Sequence, residues 1–492
     1  MKQHILLLLI ASMCLLSGCK KTLTETPKGS IAPDQFFTTA TQCTEAVNGV
    51  YYWLNDLFGQ ESLWQVTESC QDLTVVEQLP NVNFQFAYSR GNSANSDAMW
   101  NKCYNIIKDA NLTINRVGQA NIDTTLRARL VGETKFIRAM NYYILSNIFG
   151  GVPLWTEELD VDAVGKLPRA SLQDVQKQLV ADLTDAAAAL PLSYAASDVG
   201  RVTKGAAQTL LAKVYLSQKD WANAATAALA VENSKTYTLM SNYANLFDIN
   251  DGFKNNSESV FEVQFKYTTS SALDNKTNYY CTWYFPFQDA GKPTYAGVNF
   301  GTTVLRGFEV YYPSAKMASL FEPNDIRMPI ALGYGYNGTT YTRLPKPGRP
   351  WFGPKFWDLK SNVQASGKDI YFLRYADVIL SLAEAYNEQG NTAGSISEID
   401  KIRSRAGVAA LDPGLAQDSV RQVIMNERAK EFVGEFQRRW DLQRWGQLVP
   451  AIQAMGSDNP SGIANIKSYQ IYFPIPVTEI VKNPNLIQND GY

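Results

Sequence analysis

The chain has 492 residues, 45% of them hydrophobic, which is enough for a sizeable core built either as two or more ordinary domains or as one large helical array. Its 45 Lys and Arg stand against 47 Asp and Glu, with no long run of either sign, so neither a nucleic-acid surface nor a charge-driven anionic-membrane surface is expected. The one histidine, His4, falls in a leader segment, and a mature chain without it has no Ser-His-Asp or Cys-His nucleophile and no imidazole zinc site.

The leader comes first. Lys2 precedes an apolar run from Ile5 to Leu16 that is too short to span a bilayer, and the small residues Ser17 and Gly18 stand directly before Cys19. This is the pattern of a signal peptide over residues 1–18. Leu16-Ser17-Gly18-Cys19 resembles the bacterial lipobox, in which the cysteine is acylated and becomes the new N-terminus. At roughly 0.8 kcal/mol per buried methylene, several acyl chains on Cys19 anchor a protein to a membrane without a transmembrane helix. Residues 19–33, rich in Thr, Lys, Gly and Pro, read as a tether.

The body, residues 34–492, begins with helical patterning to about residue 252. Trp100, Tyr104, Ile107, Asn111 and Ile114 recur at helix spacing, as do Phe136, Met140, Tyr143 and Ile144, predicting helices over 99–117 and 126–149, with another over 171–190. Ala206, Ala207, Leu210, Leu211, Val214 and Tyr215 form one helical face that Thr203 caps, and Asp220 caps a second helix from Trp221. The pattern returns downstream: Leu211-Ala212, Val214-Tyr215, Gln218, Asp220 and Ala222 align with Leu382-Ala383, Ala385-Tyr386, Gln389, Asn391 and Ala393. Such repeated helix hairpins resemble tetratricopeptide-type units, and the predicted fold is mainly α, an array of helix pairs.

From about 253 to 370 the texture changes to Gly, Pro and aromatic residues with short β-like runs such as 260–267, an irregular insertion. Helical pattern resumes over about 371–448, and a Pro- and Asn-rich tail over 471–492 is expected to run extended along the body. Cys43, Cys70, Cys103 and Cys281 are too far apart for a CxxC metal or redox motif; disulfide pairing and buried free thiols both remain open. No metal and no cofactor is expected.

Motifs along the whole mature chain resemble the SusD/RagB family. They are Trp100, Tyr104, Ile107, Ala110 and Asn111; Gly132-Glu133; Phe149-Gly150-Gly151-Val152-Pro153-Leu154; and Gly200-Arg201-Val202-Thr203-Lys204-Gly205. Further on come Arg374-Tyr375-Ala376-Asp377, Ile402-Arg403-Ser404-Arg405-Ala406-Gly407, Glu427-Arg428, Glu431, Glu435, Arg438 and Asp441-Leu442, with Phe473-Pro474-Ile475-Pro476 and Gln488-Asn489 closing the chain. The resemblance implies an outer-membrane lipoprotein, facing the cell exterior, that captures oligosaccharides or peptides for a SusC-like TonB-dependent transporter. This chain departs from the family pattern at Phe436-Gln437, where Gly and His or Asn often precede the arginine, and at Lys20-Lys21, where acidic residues often follow the lipidated cysteine.

Glu427, Glu431, Glu435, Arg438 and Arg439 lie about one turn apart, and an ion-pair ladder along a helix explains them without catalysis. Binding candidates come from loops, because stacking on a sugar's C–H face needs an exposed ring with polar groups beside it. Tyr279, Tyr280, Trp283, Tyr284, Phe285 and Phe287 crowd one insertion segment, with Asp289 and Lys292 nearby. Tyr88, Arg90, Asn92 and Asn95 lie in a polar loop before Trp100, itself an outside candidate, and Trp351 sits between Pro350 and Phe352 in another loop. Two readings from other classes compete with a receptor: a glycoside hydrolase working through two carboxylates, and a structural scaffold with no small ligand.

Overall fold

The computed structural model describes residues 36–248, 253–266, 277–286, 292–301, 307–361 and 366–492. The leader, Cys19, the tether, Phe287 and Asp289 lie outside the described residues. Among the described residues no helix is long and apolar enough to cross a membrane.

Among the described residues, nine longer helices carry the architecture: α1 (Ala40–Gly59), α2 (Ala94–Gln119), α3 (Thr124–Phe149), α4 (Leu172–Ala189), α5 (Lys204–Gln218), α6 (Trp221–Asn233), α7 (Tyr375–Glu388), α8 (Thr392–Arg405) and α9 (Gln417–Phe432). Each packs on the next through α8, and α9 closes on α7 and α8, so the chain forms one continuous array. Caps set the starts. The Thr203 hydroxyl accepts from the Ala206 N–H at 3.1 Å, and the Asp220 carboxylate from the Asn223 N–H at 3.2 Å. The internal repeat is visible as α5–α6 against α7–α8: Asn391 caps α8 as Asp220 caps α6, accepting from the Gly394 N–H at 3.0 Å. The preceding residue, Lys219 in one copy and Gly390 in the other, is left-handed in both, at φ 60° and 81°.

The insertion is held by two-stranded antiparallel ladders. β1 (Thr74–Val76) pairs with β5 (Tyr311–Pro313), and β2 (Ser259–Val263) with β10 (Ile370–Arg374), which leads directly into α7. β3 (Thr294–Tyr295) pairs with β4 (Val298–Asn299), β6 (Leu332–Gly333) with β9 (Trp351–Phe352), and β7 (Gly335–Tyr336) with β8 (Thr339–Thr340). The tail contains one short helix, Val477–Lys482, and otherwise runs irregularly over α3: the Phe473 N–H donates to the Ile148 carbonyl at 2.8 Å, and Asn489 to that of Phe149 at 3.0 Å. Cys43, Cys70, Cys103 and Cys281 are buried free thiols, and desolvation pushes Cys70 and Cys281 up to about 12, leaving them unreactive.

The expected ladder of Glu427, Glu431, Glu435, Arg438 and Arg439 is instead a buried network between elements. Glu431 accepts from Arg374 at 2.6 Å and from Arg327 at 3.1 Å, and also pairs with Arg405. Glu435 accepts from Lys355 at 2.6 Å and Arg374 at 2.7 Å, while Arg438 forks onto Asp72 at 2.7 and 2.8 Å. Arg439 instead caps the carbonyls of Cys70 and Gln470, both at 3.2 Å. The correction has a local cause. α9 ends at Phe432, so these residues do not share one helix face, and Phe436 follows in the left-handed region at φ 61° where glycine is the easier residue. Burial makes these pairs costly to break from one side, so they lock the insertion onto the array.

Candidate functional site

The short helix Tyr280–Tyr284 sorts the aromatic segment by its own geometry. Residues four apart share a face, so Tyr280 and Tyr284 lie on one face and Tyr279 and Trp283 on the adjacent one, and Trp64 touches Tyr279, Tyr280 and Trp283 alike. The first pair is core. Tyr280 donates its hydroxyl to the Gly434 carbonyl at 2.6 Å, and Tyr284 is fully buried, stacked on Phe356 with ring centroids 4.2 Å apart. The second pair is half-buried over Trp64, with centroid separations of 4.9 Å for Tyr279 and 6.0 Å for Trp283.

Several other sequence candidates are also core. Tyr88 is buried, donates to the Gln470 carbonyl at 2.9 Å and stacks on Phe473 at 4.3 Å. Trp100 packs edge-on against Tyr104 and Phe149 at 4.8 and 5.1 Å, and Trp351 is fully buried on β9. A ring enclosed on both faces cannot stack on a ligand, so Tyr280, Tyr284, Tyr88, Trp100 and Trp351 are corrected to packing residues in this conformation.

The remaining candidates do not all meet: the β1–β5 ladder brings the start of the following loop towards Trp283, whereas the turn with Arg90 and Asn92 follows Tyr88 on the side of the tail, where the Phe86 carbonyl accepts from Gln470 at 2.8 Å. Beyond the ladder, the Glu77 N–H donates to the Val310 carbonyl and the Gln78 amide to the Phe308 carbonyl, and the Phe308 N–H donates to the Thr282 carbonyl, all at 2.8 Å, which ties Gln78 to the Tyr280–Tyr284 helix, while Asn95 lies in the first turn of α2. Trp283 lies 5.4 Å from the Tyr311 ring, whose hydroxyl shares a 2.9 Å hydrogen bond with Ser69. Ser69 and Asn81 both donate to the Gln65 carboxamide, at 3.2 and 3.0 Å, and Asn83 donates to Asn95 at 2.9 Å. Arg90 and Asn92 are exposed on the turn closed by reciprocal Ser89–Asn92 backbone bonds of 3.2 and 3.1 Å.

The face has unspent polar capacity. Tyr279 accepts from the Glu61 N–H at 3.2 Å, and burial pushes its phenol up to about 12, so it stays protonated and can donate as well as accept. Gln78 and Leu79 are exposed after β1, with Gln78 bonded to the Phe308 carbonyl, and sequence does not reveal this placement because three-residue strands have no period to show the pairing. Two half-buried rings with the exposed Gln78 near their helix suit the C–H face and hydroxyls of a sugar.

Residues 212–492 match the model of the SusD family, and residues 30–216 match a model described as starch-binding, associating with outer membrane. The chain belongs to the SusD family. It is 28% identical over 515 residues to the SusD-like protein P25 of Formosa agariphila, covering 96% of each chain. The starch-binding protein SusD of Bacteroides thetaiotaomicron is 25% identical over 434 residues, covering 75% of this chain and 73% of that one. Among solved structures, surface glycan-binding protein A of the same species, in complex with laminarihexaose, superposes with a TM-score of 0.75 at 21% identity over 92% of this chain and all of that one. The SusD fold therefore accounts for the helix array, its insertion and the packed tail together.

Proposed function

We propose that this SusD-family protein is a non-catalytic receptor that captures oligosaccharides at the cell surface and passes them to a TonB-dependent outer-membrane transporter, anchored through a lipid on Cys19. The observation that carries the reading is the Tyr279–Trp283 pair: two half-buried rings on one helix face, with the Gln78 amide tied to the same helix through Phe308 and a phenol that accepts from the Glu61 N–H. That combination supplies stacking area and hydroxyl partners without an acid–base pair set across a scissile bond. A fold relative seen with laminarihexaose supports a glycan over a peptide as the ligand.

Calorimetric titration of the full chain against a panel of β-glucan, α-glucan and plant oligosaccharides and a mixed peptide digest, with chromatography of the mixtures after long incubation, tests this. Saturable binding of at least one glycan with its chain length unchanged is the expected result. Shortened glycan products removed by replacing one Asp or Glu establish the hydrolase instead, and binding confined to the peptide digest replaces the ligand class.

A further inference from the structure

A cavity of about 240 Å³ lies away from the aromatic segment, where the 192–203 loop, the α6 exit at 236–237 and the start of β2 meet. Its frame is unusual. Gly200, Lys235 and Asn255, one at or beside each of its three walls, all take the left-handed conformation, at φ 97°, 55° and 49°. Lys235 is the left-handed residue that ends α6, as Lys219 ends α5, and so fixes where the chain turns into the cavity wall. Gly200 leaves room for the Gln264 side chain, which a Cβ there would strike, and Gln264 donates to the Asn255 carboxamide oxygen at 2.8 Å, fixing that wall.

The lining mixes apolar and polar groups and is electrically quiet. Arg201 is ion-paired to Glu133 at 3.0 Å and to Asp198 at 2.7 Å. Glu262, at the floor, is nearly fully buried, accepts from the Asn255 N–H at 2.7 Å and from the Ser259 hydroxyl at 2.8 Å, and is pushed up to about 8 by burial and by the adjacent Asp369, so it is neutral near pH 7. Among the described residues the Ser193 and Thr236 hydroxyls and the Asn255 amide N–H₂ have no protein partner, and the apolar side chains of Leu192 and Val199 stand exposed in the same wall. A volume below that of pockets for drug-sized molecules fits one ring with hydroxyls, and no uncompensated charge waits for an ion.

We propose that this cavity is a second binding site, for a single neutral sugar residue, bounded by Ser193, Thr236 and Asn255 and independent of the Tyr279–Trp283 face. It takes an uncharged, hydroxyl-rich ring whose hydroxyls engage these three groups while its C–H face meets Leu192 and Val199. The site does not depend on the identity of the glycan held elsewhere, nor on transport.

The test is nuclear magnetic resonance of the isotope-labelled full chain, following the Asn255 side-chain amide and the Thr236 methyl during titration with glucose, galactose, mannose, xylose, N-acetylglucosamine and glucuronic acid into the millimolar range. Saturable shifts are expected with at least one neutral sugar, none with glucuronic acid, and the same titration curve in Trp283→Ala. Asn255→Gly keeps the left-handed turn while deleting the amide, and is expected to weaken that binding about tenfold. No saturable shift with any neutral sugar, response to glucuronic acid alone, an affinity unchanged in Asn255→Gly, or loss of the shifts in Trp283→Ala each overturns the proposal.

Discussion

Arg138 on α3 holds three helices at one point. Its guanidinium forks onto Asp182 of α4, with Nε to Oδ2 at 2.8 Å and Nη2 to Oδ1 at 2.6 Å, and its Nη1 donates to Asn111 of α2 at 2.7 Å and to the Thr156 carbonyl at 2.9 Å. The pair is almost completely buried, at 3% and 2% side-chain exposure. Arg138→Met leaves Asp182 enclosed with only the Gln178 amide at 3.0 Å, and an uncompensated buried carboxylate costs about 3–5 kcal/mol. Unfolding entropy of about 2.1 cal/mol/K per residue amounts to roughly 1 kcal/mol/K for a body of this length, so the variant melts about 3–5 °C lower. Arg138→Met/Asp182→Leu removes both charges and recovers most of the loss, to within about 1 kcal/mol of the parent. Urea denaturation and calorimetry of the two single variants and the double variant measure this. A single-variant loss under about 1 kcal/mol, or a double variant no better than the worse single, refutes the reasoning that the pair is a desolvated, mutually dependent clamp.

The Glu262 carboxyl, pushed up to about 8, makes a stability contribution that is fully present below its unfolded value near 4.5 and is lost as pH rises through about 8; Glu262→Gln lacks that loss, so its urea midpoint gains on the parent between about pH 5 and pH 8.5, and parallel pH profiles contradict the assignment. Gly434 and Gly390 separate two costs: both have positive φ, at 73° and 81°, but a Cβ at Gly434 strikes the Phe356 ring whereas one at Gly390 meets open space. Gly390→Ala therefore costs about 1 kcal/mol and Gly434→Ala clearly more, and equal denaturation midpoints contradict the packing. Trp100→Ala, removing an indole buried against Tyr104 and Phe149, lowers stability by about 3–5 kcal/mol in the same assay while leaving glycan affinity within about twofold at temperatures where the variant is folded; a selective affinity loss restores Trp100 as a ligand residue.

The helical scaffold was legible because its signals are local. The caps at Thr203 and Asp220 and the repeat between Leu211–Ala222 and Leu382–Ala393 are written within stretches of a dozen residues, and the observed helices 94–119, 124–149 and 172–189 enclose or closely match the apolar stripes. What failed was long-range. Glu431 and Glu435 sit at ladder spacing, yet their partners Arg374 and Lys355 come from the insertion and its boundary strand. The aromatic crowding at 279–285 marks the segment on which binding is proposed, but only the helix phase tells the half-buried Tyr279 and Trp283 from the buried Tyr280 and Tyr284, and a five-residue helix is too short to announce its phase. The placement of Gln78 and Leu79 depends on the β1–β5 ladder, whose strands are three residues each and are separated in sequence by α2 to α6.

The measurement that tests the central claim most directly is calorimetric titration of the full chain and of Trp283→Ala with the tightest-binding oligosaccharide of the panel. Removing a half-buried ring that stacks on the sugar is expected to weaken binding by about tenfold or more, with the variant's circular dichroism and melting behaviour close to the parent's. Unchanged affinity in the folded variant would contradict the assignment of the Tyr279–Trp283 face as the glycan-binding surface.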